Sequence, residues 1–122
     1  MADLNSIMTW TFNEEVDVPK DIVEILVNGE TAEAAYKTIR DVAVVTNKRI
    51  IIADRQGLTG KKVEIYTIPF KSIIMYSSEN GGGLLDTNAE LELWTEAGKL
   101  KLNVNKKVDI RKLDRLIGTY IL

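Results

Sequence analysis

The sequence predicts a mostly β protein: seven short antiparallel strands that curl into a split barrel, with a C-terminal α-helix closing the open end. Three observations support this fold class. Apolar residues alternate with polar ones through residues 30–104, turn-forming residues interrupt them every few positions, and the apolar spacing changes to three and four after residue 109. The 122 residues suit one compact unit, in which residues 1–29 form an N-terminal segment and residues 30–122 the domain proper.

The strands follow from runs of apolar and β-branched residues between breaks in the pattern. We expect strands at about residues 30–40, 42–47, 49–55, 61–68, 72–79, 87–96 and 99–104. The breaks are polar or glycine-containing pairs, one proline and a run of three glycines: Arg40-Asp41, Asn47-Lys48, residues 56–60, Pro69, residues 81–83 and Ala97-Gly98. Links this short favour a meandering antiparallel sheet.

The N-terminal segment contains two different patterns. Trp10 and Phe12 alternate with threonines, which indicates either an extended segment with one apolar face or a loosely ordered terminus. After it, an acidic residue, a proline, apolar residues at helical spacing and a glycine predict a short amphipathic helix. The residues concerned are Asp17, Pro19, Ile22, Ile25, Leu26 and Gly29.

The C-terminal segment is the clearest helix in the sequence. Its apolar residues share one face at spacings of three and four, and either Asn105 or Asp109 can cap its N-terminus. These residues are Ile110, Leu113, Leu116, Ile117, Tyr120 and Ile121. Such a face is suited to filling the open end of a curled sheet.

The composition excludes several classes of function. The chain has no His and no Cys, so it cannot hold a catalytic triad, a cysteine nucleophile, a disulfide, or a zinc or haem site that uses those ligands. We therefore expect a protein that is not an enzyme and that uses no cofactor and no metal.

Charge and hydropathy narrow the partners and the location. Residues 31–71 hold eight basic against four acidic residues, too few for a nucleic-acid interface built on many phosphate contacts. Apolar runs of about five residues are far shorter than the ~20 that cross a bilayer. With no signal-peptide pattern before Lys20, we expect a cytoplasmic protein.

Several local motifs resemble those of the bacterial pleckstrin-homology-like (PH-like) single-domain family. The matching stretches cover most of residues 28–94, and the turn QGLTGKK beside IPFKSI is the most specific of them. They read NGETAEAAYKTIRD (28–41), VVTNKRIII (44–52), DRQGLTGKKVE (54–64), IPFKSI (68–73) and LDTNAELELW (85–94). The resemblance implies a PH-like split barrel of two nearly orthogonal sheets with a capping helix. It also implies non-catalytic protein-interaction modules that form cyclic homo-oligomers, five-fold for single-domain members.

Apolar residues on both faces of several strands favour self-association independently. Val63 and Ile65 alternate with Tyr66 and Ile68, and Ile73 and Met75 alternate with Ile74 and Tyr76. If Leu91 and Leu93 point inward, Trp94 points outward beside two glutamates. An exposed patch of this kind indicates an interface, although the C-terminal helix and the N-terminal segment could instead cover it within one chain. The candidate interface residues are Tyr66, Tyr76, Glu90, Glu92 and Trp94.

A second candidate surface is basic. Five residues from neighbouring strands and turns could converge on one rim and bind an unidentified protein partner: Lys48, Arg49, Arg55, Lys61 and Lys62. Anionic membrane lipid is an alternative ligand, held weakly and in a salt-sensitive way. The third interpretation is simple solvation, with Asp41, Asp54 and Glu64 as local partners.

Overall fold

The structure, a computed structural model, describes residues 7–56, 62–79 and 88–122. The helices, strands and one 3₁₀ turn follow in chain order: β1 (Ile7–Phe12), β2 (Glu14–Val16), α1 (Lys20–Val23), β3 (Ala32–Lys37), β4 (Val42–Thr46), β5 (Arg49–Gln56), β6 (Lys62–Pro69), the turn Phe70–Ser72, β7 (Ile73–Glu79), β8 (Ala89–Thr95), β9 (Gly98–Val104) and α2 (Ile110–Ile121). Most of the predicted 56–60 turn, Lys61 and the glycine run lie outside the described residues.

The strands form two sheets, and the prediction of a mostly β fold with a C-terminal helix is confirmed. A four-stranded sheet has the order β1-β9-β8-β7, and a five-stranded sheet has the order β2-β3-β4-β5-β6. All seven predicted strands are present, but β1 and β2 raise the number in the described chain to nine, so the count of seven is wrong. The seven predicted strands pair antiparallel as expected, whereas the additional strand β1 pairs in parallel with β9.

The N-terminal strands join the two sheets. β1 lies beside β9 in one sheet, β2 lies beside β3 in the other, and Asn13 separates them. The Asn13 amide donates to the Lys37 carbonyl at 2.8 Å, and the Asn105 amide donates to the Phe12 carbonyl at 2.9 Å. Of the two interpretations of residues 7–12, the extended segment is therefore the correct one: Phe12 is buried and Trp10 is half-buried against the core.

The main core lies between the inner faces of the two sheets. Leu91 and Leu93 are fully buried there, as predicted, together with Ile50 and Ile52 of the facing sheet. The aromatic ring of Tyr36 stacks on that of Phe12 with 5.1 Å between centroids. This core accounts for the alternation that the sequence shows in β8 and β9, whereas the apolar run of β5 is buried on both faces of its sheet.

α2 closes one opening between the sheets. Leu113 and Ile117 are fully buried in the core, and the Asp109 carboxylate caps the helix by accepting from the Arg111 and Lys112 amides, both at 3.1 Å. Polar contacts fix the helix to both sheets: Lys112 to Glu15 of β2 at 2.6 Å, Ser78 of β7 to Asp114 at 2.9 Å, and Tyr120 to Glu33 of β3 at 2.8 Å. The predicted apolar helix face is confirmed.

A second, smaller core lies on the outer face of the five-stranded sheet. Ile22 is buried against Ala35, Val44 and Ile51, with Val16, Val18 and Leu26 around it. The helix in this segment is shorter than expected, only four residues, and Pro19 rather than Asp17 is at its N-cap. Its apolar residues still pack as predicted because turns continue the chain over the sheet.

β7 departs from simple alternation at its start. The register with β8 shifts between Ile73 and Met75, so Ile74 is an extra residue on that strand. In consequence Ile73 is buried, whereas Ile74 and Met75 are 68% and 54% exposed. The expectation that Met75 faces the same side as Ile73 is wrong for this reason.

Candidate functional site

The five predicted basic residues do not share one rim. Lys48 and Arg49 lie at the start of β5, whereas Arg55 lies near its end. Six residues of extended strand separate Arg49 from Arg55 by about 20 Å. Lys62, at the start of β6, pairs in register with Gln56 and so lies at the Arg55 end. Lys61 is outside the described residues. The prediction of a single converging rim is wrong because β5 runs between the two groups.

Each of the two arginines forms an ion pair with an acidic residue of the same chain. The Arg55 side chain contacts the Asp41 carboxylate at 3.2 Å. Burial raises the pKa of Asp41 although Arg55 opposes that rise. Arg49 binds Glu30 at 2.8 Å, with 16% of the arginine side chain and none of the glutamate side chain exposed. Arg49 is therefore committed to a buried pair, whereas Arg55 is 52% exposed and forms a surface ion pair of the kind worth about 0–1 kcal/mol.

The Glu30–Arg49 pair anchors the chain before β3 to β5 and β6. Arg49 also donates to the Ile25 carbonyl and to Thr67 Oγ1, each at 3.0 Å, and the Thr46 hydroxyl donates to Glu30 at 2.6 Å. Burial alone would raise the pKa of Glu30, but the hydrogen bonds from Arg49, Thr46 and the Val27 amide outweigh it and lower the pKa to about 2. This network is structural and fixes the end of β6.

The predicted interface residues divide between two environments. Tyr66 and Tyr76 are half-buried against the main core of their own chain. Tyr76 lies under α2, where a Cβ added to Gly118 would be 2.9 Å from the tyrosine hydroxyl. Trp10 meets Tyr66 edge to face at 5.4 Å between ring centroids. Intramolecular packing therefore covers much of both tyrosines, and their role in an interface stays a prediction.

Glu90, Glu92 and Trp94 lie on the outer face of the four-stranded sheet, which we call the polar face. Glu90 pairs with Lys101 and Glu92 with Lys99, each at 2.9 Å. The hydrogen bond that the Lys101 ammonium donates to Glu90 raises the pKa of Lys101. The Lys99 ammonium also lies 5.2 Å from the centre of the Trp94 ring. The result is a face of alternating charge with one aromatic side chain at its end.

A groove opens between β1 and β6, which are edge strands of the two different sheets. Its volume is about 590 Å³, and we call it the open groove. The Trp10–Tyr66 contact bridges the two strands beside it. Apolar side chains predominate in its lining, which includes Met8, Trp10, Tyr66, Ile68 and Leu100, with Lys71 as a basic group. Sequence analysis did not predict this groove, although the alternation of Trp10 and Phe12 was a signal that Trp10 faces inward.

A smaller basic pocket continues from the open groove. Its volume is about 440 Å³, and it shares Thr67, Pro69 and Lys71 with the groove. Lys48 lies on its other side, and Phe70 contributes apolar surface. Neither the Lys48 nor the Lys71 ammonium group has a partner among the described residues. Lys71 lies in the IPFKSI motif, but its charge was not singled out by the sequence pattern.

The described residues offer no other obvious chemical site. No group of three or more acidic side chains there is placed to hold a metal ion, and no helix there is long and apolar enough to span a membrane. The candidate site is therefore a set of surfaces: the polar face, the open groove and the basic pocket.

Comparison with known proteins identifies the family. A family model described as "Bacterial PH domain" matches residues 3–121. The uncharacterized protein YjqA of Bacillus subtilis is 45% identical over 83 residues, which are 68% of this chain and 66% of that protein, just under two thirds of its length.

Solved structures give the same result. A crystal structure of a protein with a pleckstrin-homology domain from Shewanella loihica PV-4 matches with a TM-score of 0.79 and 35% identity, covering 91% of this chain and 99% of that one. A pleckstrin-homology domain from Shewanella amazonensis SB2B matches with a TM-score of 0.66 and 36% identity, covering 84% and 83%. The chain therefore belongs to the bacterial pleckstrin-homology domain family.

Proposed function

We propose that this protein is a non-enzymatic interaction module whose copies assemble into a homo-oligomeric ring, with five members, that presents a repeated polar surface to a protein partner. The observation that carries the proposal is the exposed apolar pair Ile74 and Met75 on β7, 68% and 54% exposed. β7 is an edge strand, so the pair lies beside backbone groups that can bond to another chain. Met75 is opposite Trp94 in the strand register, which extends the apolar area onto the polar face.

A cyclic arrangement suits this pattern. A head-to-tail contact that closes on itself buries the apolar edge of every copy and avoids open-ended growth. The polar face of each copy would then be repeated around the ring. Several weak contacts made together raise the apparent affinity for a partner by orders of magnitude, so no single contact has to be strong.

The measurement is the mass in solution, by size-exclusion chromatography with light scattering at micromolar concentration. We expect a species of several times 13.7 kDa, and we expect Ile74→Asp to reduce it to the monomer while retaining β-sheet content. Ile39→Asp is the matched control, because Ile39 is equally apolar and 78% exposed but lies in the β3–β4 turn. A wild-type species of 13.7 kDa alone would contradict the proposal.

The absence of catalysis is part of the proposal and has chemical support. With no His and no Cys, acid–base chemistry would be limited to carboxylates, Lys and Tyr, and a pair of carboxylates needs a pocket that separates their two pKa values. Glu90 and Glu92 instead lie on an outer face, each paired with a lysine. The anionic-lipid alternative is less well supported, because the basic residues are split between two ends of β5 and both arginines are paired.

A further inference from the structure

The edge of β6 that faces away from β5 has unpaired backbone groups. The Phe70 amide donates to the Lys48 carbonyl at 3.0 Å, which fixes the phase of the β5–β6 ladder. Because hydrogen-bonded pairs alternate in an antiparallel ladder, the amide and carbonyl groups of Val63, Ile65 and Thr67 point away from β5. β6 is the last strand of its sheet, so no described strand bonds to them. Pro69 also belongs to this outward-pointing set, so its lack of an N–H removes no hydrogen bond to β5.

Apolar side chains flank this free edge on both faces of the strand. Tyr66 and Ile68 line the open groove on the inner face. Val63 and Ile65 are each 44% exposed on the outer face. A strand added along the edge would place alternate side chains in the groove and on the outer face. The groove, at about 590 Å³, has room for one or two large apolar side chains.

The end of the edge nearest the basic pocket favours an acidic residue. Lys48 and Lys71 have no partner in the part of the chain that the structure describes, and the charges of Glu30 and Arg49 cancel each other. The pocket therefore has two uncompensated positive charges. In the groove itself, Glu96 on the β8–β9 turn supplies a negative charge, so we expect the acidic residue of a ligand at the pocket end only.

We infer that the free edge of β6, with the open groove and the basic pocket, binds an extended segment of a partner protein by adding it as a further strand. The segment carries apolar residues at alternate positions and an Asp or Glu at the Lys71 end. This inference rests on the proposed function as an interaction module, and its free edge on β6 is distinct from the β7 edge proposed for the ring, although Ile74 of β7 also lines the open groove. Backbone bonds supply affinity, while the groove and the two lysines supply specificity.

A second copy of this chain is a poorer occupant. Two β6 strands paired antiparallel about Ile65 would bring Lys62 of one copy close to the Lys71 end of the other. In that register Lys62 is opposite Ile68, beside the basic pocket of the other copy, and Glu64 is opposite Tyr66, further from that pocket. A second copy would therefore bring a positive charge, and no acidic residue, to the end of the edge that favours an acidic one.

The probe is a phage-displayed library of random peptides of about twelve residues, long enough to span the eight residues of β6. We expect selection for apolar or aromatic residues two positions apart, with an Asp or Glu before them if the peptide is antiparallel to β6 and after them if it is parallel. Binding of a selected synthetic peptide is then measured by fluorescence anisotropy. Lys71→Glu should weaken it about tenfold, equivalent to ~1.4 kcal/mol, and the control Lys106→Glu should not change it.

Two further measurements separate backbone pairing from simple apolar contact. Two versions of the selected peptide are made, one N-methylated at its odd-numbered amides and one at its even-numbered amides. The version whose methylated amides would face β6 should lose binding, and the other version should keep it, with the protein unchanged. Ile65→Pro removes one free-edge amide that does not bond to β5 and should abolish binding at unchanged thermal stability.

The inference is overturned if no alternating consensus emerges, if Lys71→Glu and Lys106→Glu bind equally, or if both N-methylated peptides bind as well as the parent. A fall in solution mass with Ile65→Pro would show that a second copy occupies the edge, and would also overturn it. Lys71→Glu leaves Ile74 and Met75 unchanged, so peptide binding should fall while the solution mass stays that of the wild type. These two readouts distinguish a failure of the peptide site from a failure of the ring, although Ile74 lies in both surfaces.

Discussion

The two openings between the sheets are filled in different ways. α2 fills the opening between β7 and the β2–β3 side with two fully buried side chains, an N-cap and polar contacts to both sheets. The opening between β1 and β6 is bridged by Trp10 and Tyr66, both half-buried, and leaves a groove of about 590 Å³. One opening is therefore part of the core, while the other leaves a groove with a mainly apolar lining at the surface.

The largest expected effect is at the filled opening. Ile117→Ala should lower the free energy of unfolding by about 2–5 kcal/mol, because the site is fully buried and the cavity cannot collapse fully between two sheets. Urea denaturation followed by circular dichroism measures it. Arg115→Ala, on the exposed face of the same helix, should change stability by less than ~0.5 kcal/mol. Equal effects of the two would mean that α2 is not part of the core.

The next effect concerns the anchor of β6 beside the open groove. Glu30 has an ordinary pKa of 4.5 that folding lowers to about 2, so its contribution to stability is fully present above pH 4.5 and is lost as the pH falls towards 2. Glu30→Gln should lower stability at pH 7 by about 2–4 kcal/mol by leaving Arg49 without its charge partner. It should also flatten the stability profile between pH 4.5 and 2, measured by thermal denaturation. An unchanged acid limb would show that other carboxylates dominate it.

Trp10→Ala tests the aromatic bridge of the open groove. The ring is half-buried, so we expect a loss of about 2 kcal/mol, less than full burial would cost. Binding of the selected peptide should weaken by more than this loss of stability can explain, since the groove loses a wall. Thr9→Ala, outward-facing on the same strand, is the control. If Trp10→Ala bound the peptide as tightly as the wild type, the open groove would not contribute to peptide recognition.

Much of this comparison is present in the sequence. The alternation of β8 and β9 and the three–four spacing of Leu113 and Ile117 follow directly from the geometry of strands and helices, and they predicted the core and the filled opening. The split barrel, its capping helix and the family resemblance are confirmed on this basis.

What the sequence did not provide depends on distant pairings. The parallel pairing of β1 with β9 joins residues about ninety positions apart, and no local period encodes it. The bulge at Ile74 leaves Ile74 and Met75 both exposed, and a pattern of strict alternation in the sequence does not predict this. The basic residues looked like one cluster because they are close in the sequence, whereas an eight-residue strand separates them in space.

A smaller effect is expected where α2 passes closest to β7. Gly118→Ala improves helix propensity by ~1 kcal/mol, but the new Cβ would lie 2.9 Å from the Tyr76 hydroxyl, and relieving that contact costs about 1–3 kcal/mol. We expect a net loss of about 1 kcal/mol. Tyr76→Phe removes the hydroxyl, so the double variant should recover this loss, a coupling that a double-mutant cycle measures. Additive effects would mean that the ring moves aside freely.

The smallest effect is expected at Tyr36, in the core on the filled side. Its hydroxyl is buried and makes no hydrogen bond with any described protein atom. Burial raises the pKa of this hydroxyl, and the carboxylates of Glu15 and Asp109 raise it further. Tyr36→Phe keeps the stacking on Phe12 and removes only an unsatisfied hydroxyl group. The free energy of unfolding should therefore fall by no more than ~0.5 kcal/mol, or rise by up to ~1 kcal/mol. A loss above 1 kcal/mol in urea denaturation would show that the hydroxyl bonds to a buried water, and that polar hydration as well as apolar packing holds α2 against the sheets.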